Sequence, residues 1–186
     1  MSGALMRGND LVGRPVVDLS NGEDVAEVRD VVFDPKGGLL TGFTLNERGA
    51  WTGRLQAVLP IDRVSSVGTG AVLIAGIEGL DDVPASDDVV HAAADAHAEV
   101  VDDLVVTESG RTLGTVKDVV IAGGPSPRVV AFEIGGGDIG GGFIPMSPSG
   151  AVSASALIVP DGYADRLRSD LAGLSEELAQ LHEGDS

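Results

Sequence analysis

The stretch Val25-Ala-Glu-Val-Arg-Asp-Val-Val32 decides the fold, because it recurs as Leu113-Gly-Thr-Val-Lys-Asp-Val-Val120. Further anchors follow in the same order in both places: Leu40–Leu45 aligns with Val129–Ile134, Leu59–Ile61 with Ile144–Met146, and Val67–Ile74 with Val152–Val159. Only two copies are present, and each is much longer than the unit of a solenoid. The sequence therefore predicts a duplicated domain.

The local pattern within each copy predicts β-strands. Val16-Val17 and Val25–Phe33 flank Asn21-Gly22, a pair that supplies the positive φ angles of a two-residue hairpin turn. Gly110 takes the matching turn position in the second copy. Short apolar runs separated by turns at intervals of about 8–12 residues are typical of small barrels and sandwiches. A barrel also leaves no open sheet edge, so we expect two small all-β barrels.

The acidic charge of the chain is concentrated outside the two copies. The 186 residues carry a formal net charge of -17, yet residues 1–77 and 104–160 are nearly neutral. Residues 78–103 contain nine acidic and no basic residues, and residues 161–186 contain seven acidic and two basic ones. Such charged segments that lack aromatic residues bury little apolar surface. We therefore predict a first barrel over 8–77, an acidic and partly helical linker over 78–100, a second barrel over 101–160, and a C-terminal amphipathic helix with an acidic tail over 161–186.

Composition also excludes several classes of protein. The net negative charge disfavours binding to phosphate backbones and to anionic membranes, so we expect no direct nucleic-acid partner. No apolar run approaches the roughly 18 residues of a membrane span, and the first ten residues lack the apolar core of a secretory signal, so we expect no membrane insertion. The absence of cysteine excludes disulfides and thiolate chemistry. It is compatible with a cytoplasmic protein, which is the location we expect.

The repeated anchors resemble the PRC-barrel family. The resemblance rests on Val16–Asp34 with Leu59-Pro60-Ile61, and again on Val105–Ile121 with Ile144-Pro145-Met146. It implies small β-barrels in tandem that serve as binding or assembly modules without intrinsic catalysis. One member of the family docks on a ribosomal protein, which implies a ribosome-associated or RNA-maturation factor as an alternative function.

Two sequence patterns suggest ligand sites, but neither has the local structure that such a site requires. Gly135-Gly-Gly-Asp-Ile-Gly140 fits the dinucleotide fingerprint, but it continues into Gly141-Gly142-Phe143, which does not begin the helix that the fingerprint requires. We interpret it as a hairpin loop. His91 and His97 lie among acidic residues, but a spacing of six places them on different helix faces. We therefore predict no metal, no cofactor and no catalytic residue.

Two kinds of residue remain as candidates. Asp30 and Asp118 occupy the same position of both copies within an apolar strand, where a carboxylate is expected to hold backbone amides. Together with Gly22 and Gly110 they are predicted to be structural. Trp51, with Arg48 and Arg54, lies in a glycine-containing hairpin, and Trp and Arg dominate interface hot spots. These three residues are candidates for contact with a protein partner, although the Trp51 ring could instead cover its own barrel.

The C-terminal segment carries an apolar stripe. Its leucines follow one another at steps of four and three residues: Leu167, Leu171, Leu174, Leu178 and Leu181. That spacing places all five on one helical face. The stripe could pack on the barrels of the same chain, on a second copy in a homo-oligomer, or on a partner. The sequence thus predicts a cytoplasmic, non-catalytic protein-binding adaptor of unidentified partner.

Overall fold

The computed structural model describes residues 3–34, 39–47, 58–77, 100–137, 140–146, 151–153 and 156–183. These residues form two β-sheets and a C-terminal helix, so the predicted all-β tandem architecture is confirmed. The predicted linker lies almost entirely outside the described residues.

The first sheet contains six strands from the first copy. In chain order they are β2 (Pro15–Asp18), β3 (Asp24–Asp34), β4 (Leu39–Glu47), β5 (Val58–Pro60), β6 (Val64–Val67) and β7 (Val72–Ile74). Their spatial order is β5-β4-β3-β2-β7-β6, and all neighbours are antiparallel except β2 and β7.

The second sheet repeats this arrangement strand for strand. It is built from β8 (Leu104–Thr107), β9 (Thr112–Ala122), β10 (Arg128–Gly135), β11 (Gly142–Pro145), β12 (Ala151–Ser153) and β13 (Ala156–Val159), in the order β11-β10-β9-β8-β13-β12. The register matches as well: Phe43 faces Leu59 across β4 and β5, and Phe132 faces Ile144 across β10 and β11. The duplication therefore extends from sequence to strand pairing.

One strand from the start of the chain joins the sheet of the second copy. Strand β1 (Leu5–Arg7) pairs antiparallel with β9, with Met6 opposite Ile121. The short helix α1 (Gly8–Leu11) then leads the chain back to β2. A second link is the β-bridge between Val67 and Gly124, whose amides and carbonyls exchange hydrogen bonds of 3.0 and 2.8 Å. The N-terminal segment therefore ties the two copies together.

The buried side chains form one core that extends through both copies. A single cluster contains Phe33, Phe43 and Leu59 of the first copy together with Phe132 and Ile144 of the second. A smaller cluster lies on the outer side of the second sheet and contains Val120, Val130, Ala131, Phe143 and Leu174. The two barrels therefore share a core.

The turn at Asn21-Gly22 differs from the predicted two-residue hairpin. Strand β2 ends at Asp18 and β3 begins at Asp24, so the loop spans residues 19–23. The Asn21 side chain accepts a hydrogen bond from the Glu23 amide at 2.9 Å, and this local side-chain turn widens the loop. Gly22 retains the positive φ of 74° that was expected, and Gly110 has 85°.

Candidate interaction surface

The N-terminal strand is fixed to the second copy by an ion pair. Arg7 donates two hydrogen bonds to the carboxylate of Glu133 on β10, at 2.6 and 3.2 Å. Its guanidinium carbon also lies 5.1 Å from the centre of the Phe143 ring, within the range of a cation–π contact. The hydrogen bond to Glu133 raises the pKa of Arg7. Since both side chains are partly exposed, the pair contributes mainly to the position of β1.

Asp118 joins the two copies at their centre. This carboxylate is 4% exposed; it accepts the Val119 amide at 2.7 Å and, with its other oxygen, the Asn9 amide at 3.0 Å. Gly8 lets α1 approach, because a Cβ at that position would lie 2.8 Å from the Asp118 carboxylate. In the first copy Asp30 likewise accepts the amide of Val31, at 2.8 Å. Asp118 thus holds backbone amides on both sides of the junction.

The C-terminal segment packs against the outer side of the second sheet. After a 3-10 turn (Asp161–Arg166), Arg168 pairs with Phe143 of β11 through two backbone hydrogen bonds of 2.7 and 2.9 Å. Helix α2 (Leu171–Glu183) follows. Its Glu177 is buried and forms ion pairs with Arg166 and Arg168. Ion pairs therefore tie the helix to the preceding segment, and the backbone of that segment pairs with β11.

The leucine stripe is shorter than the sequence predicts. Leu167 has an extended backbone and precedes the helix, because the pairing of Arg168 with β11 interrupts the helical path. Leu174 is fully buried against the sheet. Leu171 and Leu178 pack beside it, and Leu181 is partly exposed. The sequence leaves three surfaces on which the stripe could pack, and in the structure Leu171, Leu174 and Leu178 pack on the second barrel of the same chain.

A cleft lies between helix α2 and the N-terminal strand. Its volume is about 560 Å³. The lining comes from β1, from the β9–β10 turn, from the start of β10 and from α2: Gly3, Leu5, Ala122, Gly123, Pro125, Ser126, Arg128, Val130, Ser175, Leu178 and Ala179. No sequence pattern indicates this cleft, since it forms from segments that are distant in the chain.

Both halves of the chain match the same family model. The PRC-barrel domain model matches residues 4–81 and again residues 95–166. The chain belongs to the PRC-barrel family. Apart from β1, which lies in the first match and pairs with the second sheet, the two matches correspond to the two sheets, so the PRC barrel is present as a tandem pair. No curated protein matches the chain.

The remaining sequence candidates of this PRC-barrel pair fall in different places. Arg48, Trp51 and Arg54 lie outside the described residues, as do His91 and His97. The glycine-rich run joins β10 to β11, so it connects two strands as predicted. Among the described residues no group of three His, Cys, Asp or Glu side chains could hold a metal ion. No helix in this part of the chain is long and apolar enough to cross a membrane.

Each PRC barrel also carries a carboxylate at one strand end. In the first barrel Asp18 accepts the Ser20 amide at 2.7 Å, and in the second Asp161 accepts the Ser109 amide at 3.0 Å. Hydrogen bonds from the Ser20 side chain and amide lower the pKa of Asp18. The pKa of Asp161 is lowered by the Ser109 side chain, the Ser109 amide and the Thr107 hydroxyl. Both carboxylates therefore stabilise turns in their ionised form.

These two pKa shifts predict an acid-sensitive contribution to stability. A carboxyl group whose folded pKa is below its unfolded value of about 3.9 stabilises the fold above that pH, and the contribution is lost as pH falls through the folded pKa. The variants Asp18→Asn and Asp161→Asn should therefore be less stable than the parent chain at pH 7. We expect the difference to shrink below about pH 4, in urea titrations at several pH values. A difference independent of pH would contradict the assignment.

Proposed function

We propose that this chain is a non-catalytic, cytoplasmic protein-binding adaptor or assembly module. The observation that carries the proposal is that the buried carboxylates of the described residues hold parts of the fold together. Asp18 holds a turn, Asp118 holds the junction of the two barrels, and Glu177 holds the C-terminal helix. An acid or base in catalysis must be free to exchange a proton with a substrate, whereas these three groups are engaged in the fold.

The shared core supports a scaffold role. Since one hydrophobic cluster extends through both barrels, the loops of the tandem pair are presented by a connected body of packed strands. The segment with Arg48, Trp51 and Arg54 joins β4 to β5. Segments that connect packed strands commonly carry recognition, and we propose that these three side chains contact the partner.

Self-association through α2 is part of the proposal. Leu174 has no exposed surface, so an interface between two copies would use the outward side of the helix and Leu181, while the inner leucines stay on the sheet. Light scattering over a range of concentrations, with Leu181→Glu as the variant, tests this part.

Affinity capture tests the adaptor function. The parent chain should retain a stoichiometric partner, and the triple variant Arg48→Ala, Trp51→Ala, Arg54→Ala should lose it, because a single hot-spot residue is worth about 2 kcal/mol or more. Arg63→Ala is the control, since this exposed arginine lies in the 3-10 turn Ile61–Arg63 of the same barrel.

The result of affinity capture distinguishes the adaptor function from the ribosome-associated alternative. Equal capture by the parent and the triple variant would contradict the proposed contact residues, and no stoichiometric capture by either would contradict the adaptor function. Co-sedimentation of the parent chain with ribosomal subunits at moderate salt, lost in the triple variant, would favour the ribosome-associated alternative.

A further inference from the structure

The cleft between α2 and β1 has the size and lining of a small-molecule site. Its volume of about 560 Å³ lies in the range of roughly 300–1,000 Å³ that is typical of ligand pockets. Its apolar floor, with Leu5, Val130 and Leu178, continues the hydrophobic cluster that lies under the helix. The cleft is therefore an open extension of a packed apolar surface.

Contacts within the protein fix the walls of the cleft, so the walls are in place before a ligand binds. Leu5 pairs with Ala122, and the Gly123 amide donates to the carbonyl of Ala4 at 3.0 Å. Gly123 is packed so closely that a Cβ there would lie 2.5 Å from the Val67 carbonyl oxygen. On the other side, α2 is fixed by the Glu177 ion pairs. A site on such preformed walls loses little entropy when it is filled.

The positive charge in the lining favours an anionic ligand. Arg128 is the one charged side chain among the lining residues, in a chain whose net charge is -17. Arg128 already makes a contact within the protein, but a guanidinium has five N–H donors and matches a carboxylate in a bidentate geometry. Ser126 and Ser175 add two hydroxyl groups to the lining. A single cation beside an apolar floor matches an amphipathic anion.

We propose that this cleft binds a small carboxylate with an apolar body, such as a medium-chain alkyl carboxylate. The carboxylate is held by Arg128, and the alkyl chain lies over Leu5, Val130 and Leu178 between β1 and α2. This site is separate from the partner contacts proposed on the first barrel, although it shares helix α2 with the proposed self-association.

Calorimetric titration of the full chain with octanoate tests the site. Affinity should rise about fourfold for each methylene added from hexanoate to octanoate, as expected for about 0.8 kcal/mol per buried methylene. Octylamine and octanol should bind at least tenfold more weakly than octanoate, since neither accepts charge-assisted hydrogen bonds from Arg128. Equal binding of the three compounds would overturn the choice of a carboxylate.

Variants locate the binding. Arg128→Gln should weaken octanoate at least tenfold, and Ala179→Trp should abolish binding by filling the cleft, whereas Arg63→Gln on the first barrel should leave it unchanged. Arg128 and Ala179 are both exposed, so neither substitution should unfold the chain. No heat with millimolar octanoate, or unchanged affinity in Ala179→Trp, would overturn the proposal. Either result would leave partner capture by the first barrel unaffected.

Discussion

Replacement of Leu174 by Ala is expected to lower the free energy of unfolding by about 2–5 kcal/mol. The side chain is fully buried between α2 and the second sheet, so its removal leaves a cavity beside Val120, Val130 and Phe143. Urea denaturation followed by circular dichroism measures the loss. Amide hydrogen exchange should show faster opening of α2 than of β9, because the helix depends on this contact.

Leu181→Ala is the matched control for Leu174→Ala. It removes the same atoms from the same helix, but Leu181 is partly exposed and belongs to neither hydrophobic cluster of the described residues. At protein concentrations low enough for the chain to be monomeric, its effect should be about 1 kcal/mol or less. An equal loss of stability in the two variants would contradict the docking of α2 on the sheet.

Asp118→Ala should be the second most damaging substitution. It removes the acceptor of the Asn9 and Val119 amides at a position that is 4% exposed. A buried donor left without a partner costs about 1–3 kcal/mol; the bond to the Val119 amide is buried and the bond to the Asn9 amide is part-buried, so we expect a loss of about 2 kcal/mol or more in the free energy of unfolding. Exchange of the β1 amides should accelerate most, since α1 would no longer be held against β9.

The duplication supplies the control for Asp118→Ala. Asp30→Ala changes the same position of the first barrel, where the carboxylate is less buried and accepts the Val31 amide. It should cost less and leave exchange in β1 unchanged. A larger effect of Asp30→Ala than of Asp118→Ala would contradict the junction role of Asp118.

The sequence predicts the repeat and the β-strands of each copy, because both depend on local patterns. The alternation of apolar residues and the aspartate at positions 30 and 118 place the same residues on the same face in both copies. Strand β6 (Val64–Val67) was not predicted separately, since two serines interrupt its apolar run. The Asn21-Gly22 loop is wider than predicted because side chains of Asp18 and Asn21 hydrogen-bond to its backbone.

Features that depend on distant segments were not predictable from local pattern. Strand β1 is only three residues long, too short for a periodicity to indicate its face or its partner. Leu167 fits the heptad-like spacing, yet the competing backbone pairing of Arg168 with Phe143 ends the stripe. The cleft is formed by four segments, and no sequence signal connects Arg128 to Ala179.

The crossing of β1 to the second sheet has a consequence for folding during synthesis. The N-terminal residues leave the ribosome first, but their pairing partners Val120–Ala122 emerge only after the whole first barrel and the linker have been made. Strand β1 can therefore pair only after β9 of the second sheet has been synthesised, and such contacts of high sequence separation form slowly. Until then, a nascent chain that holds only the first barrel leaves Met6, which is 3% exposed in the folded protein, without its partner strand.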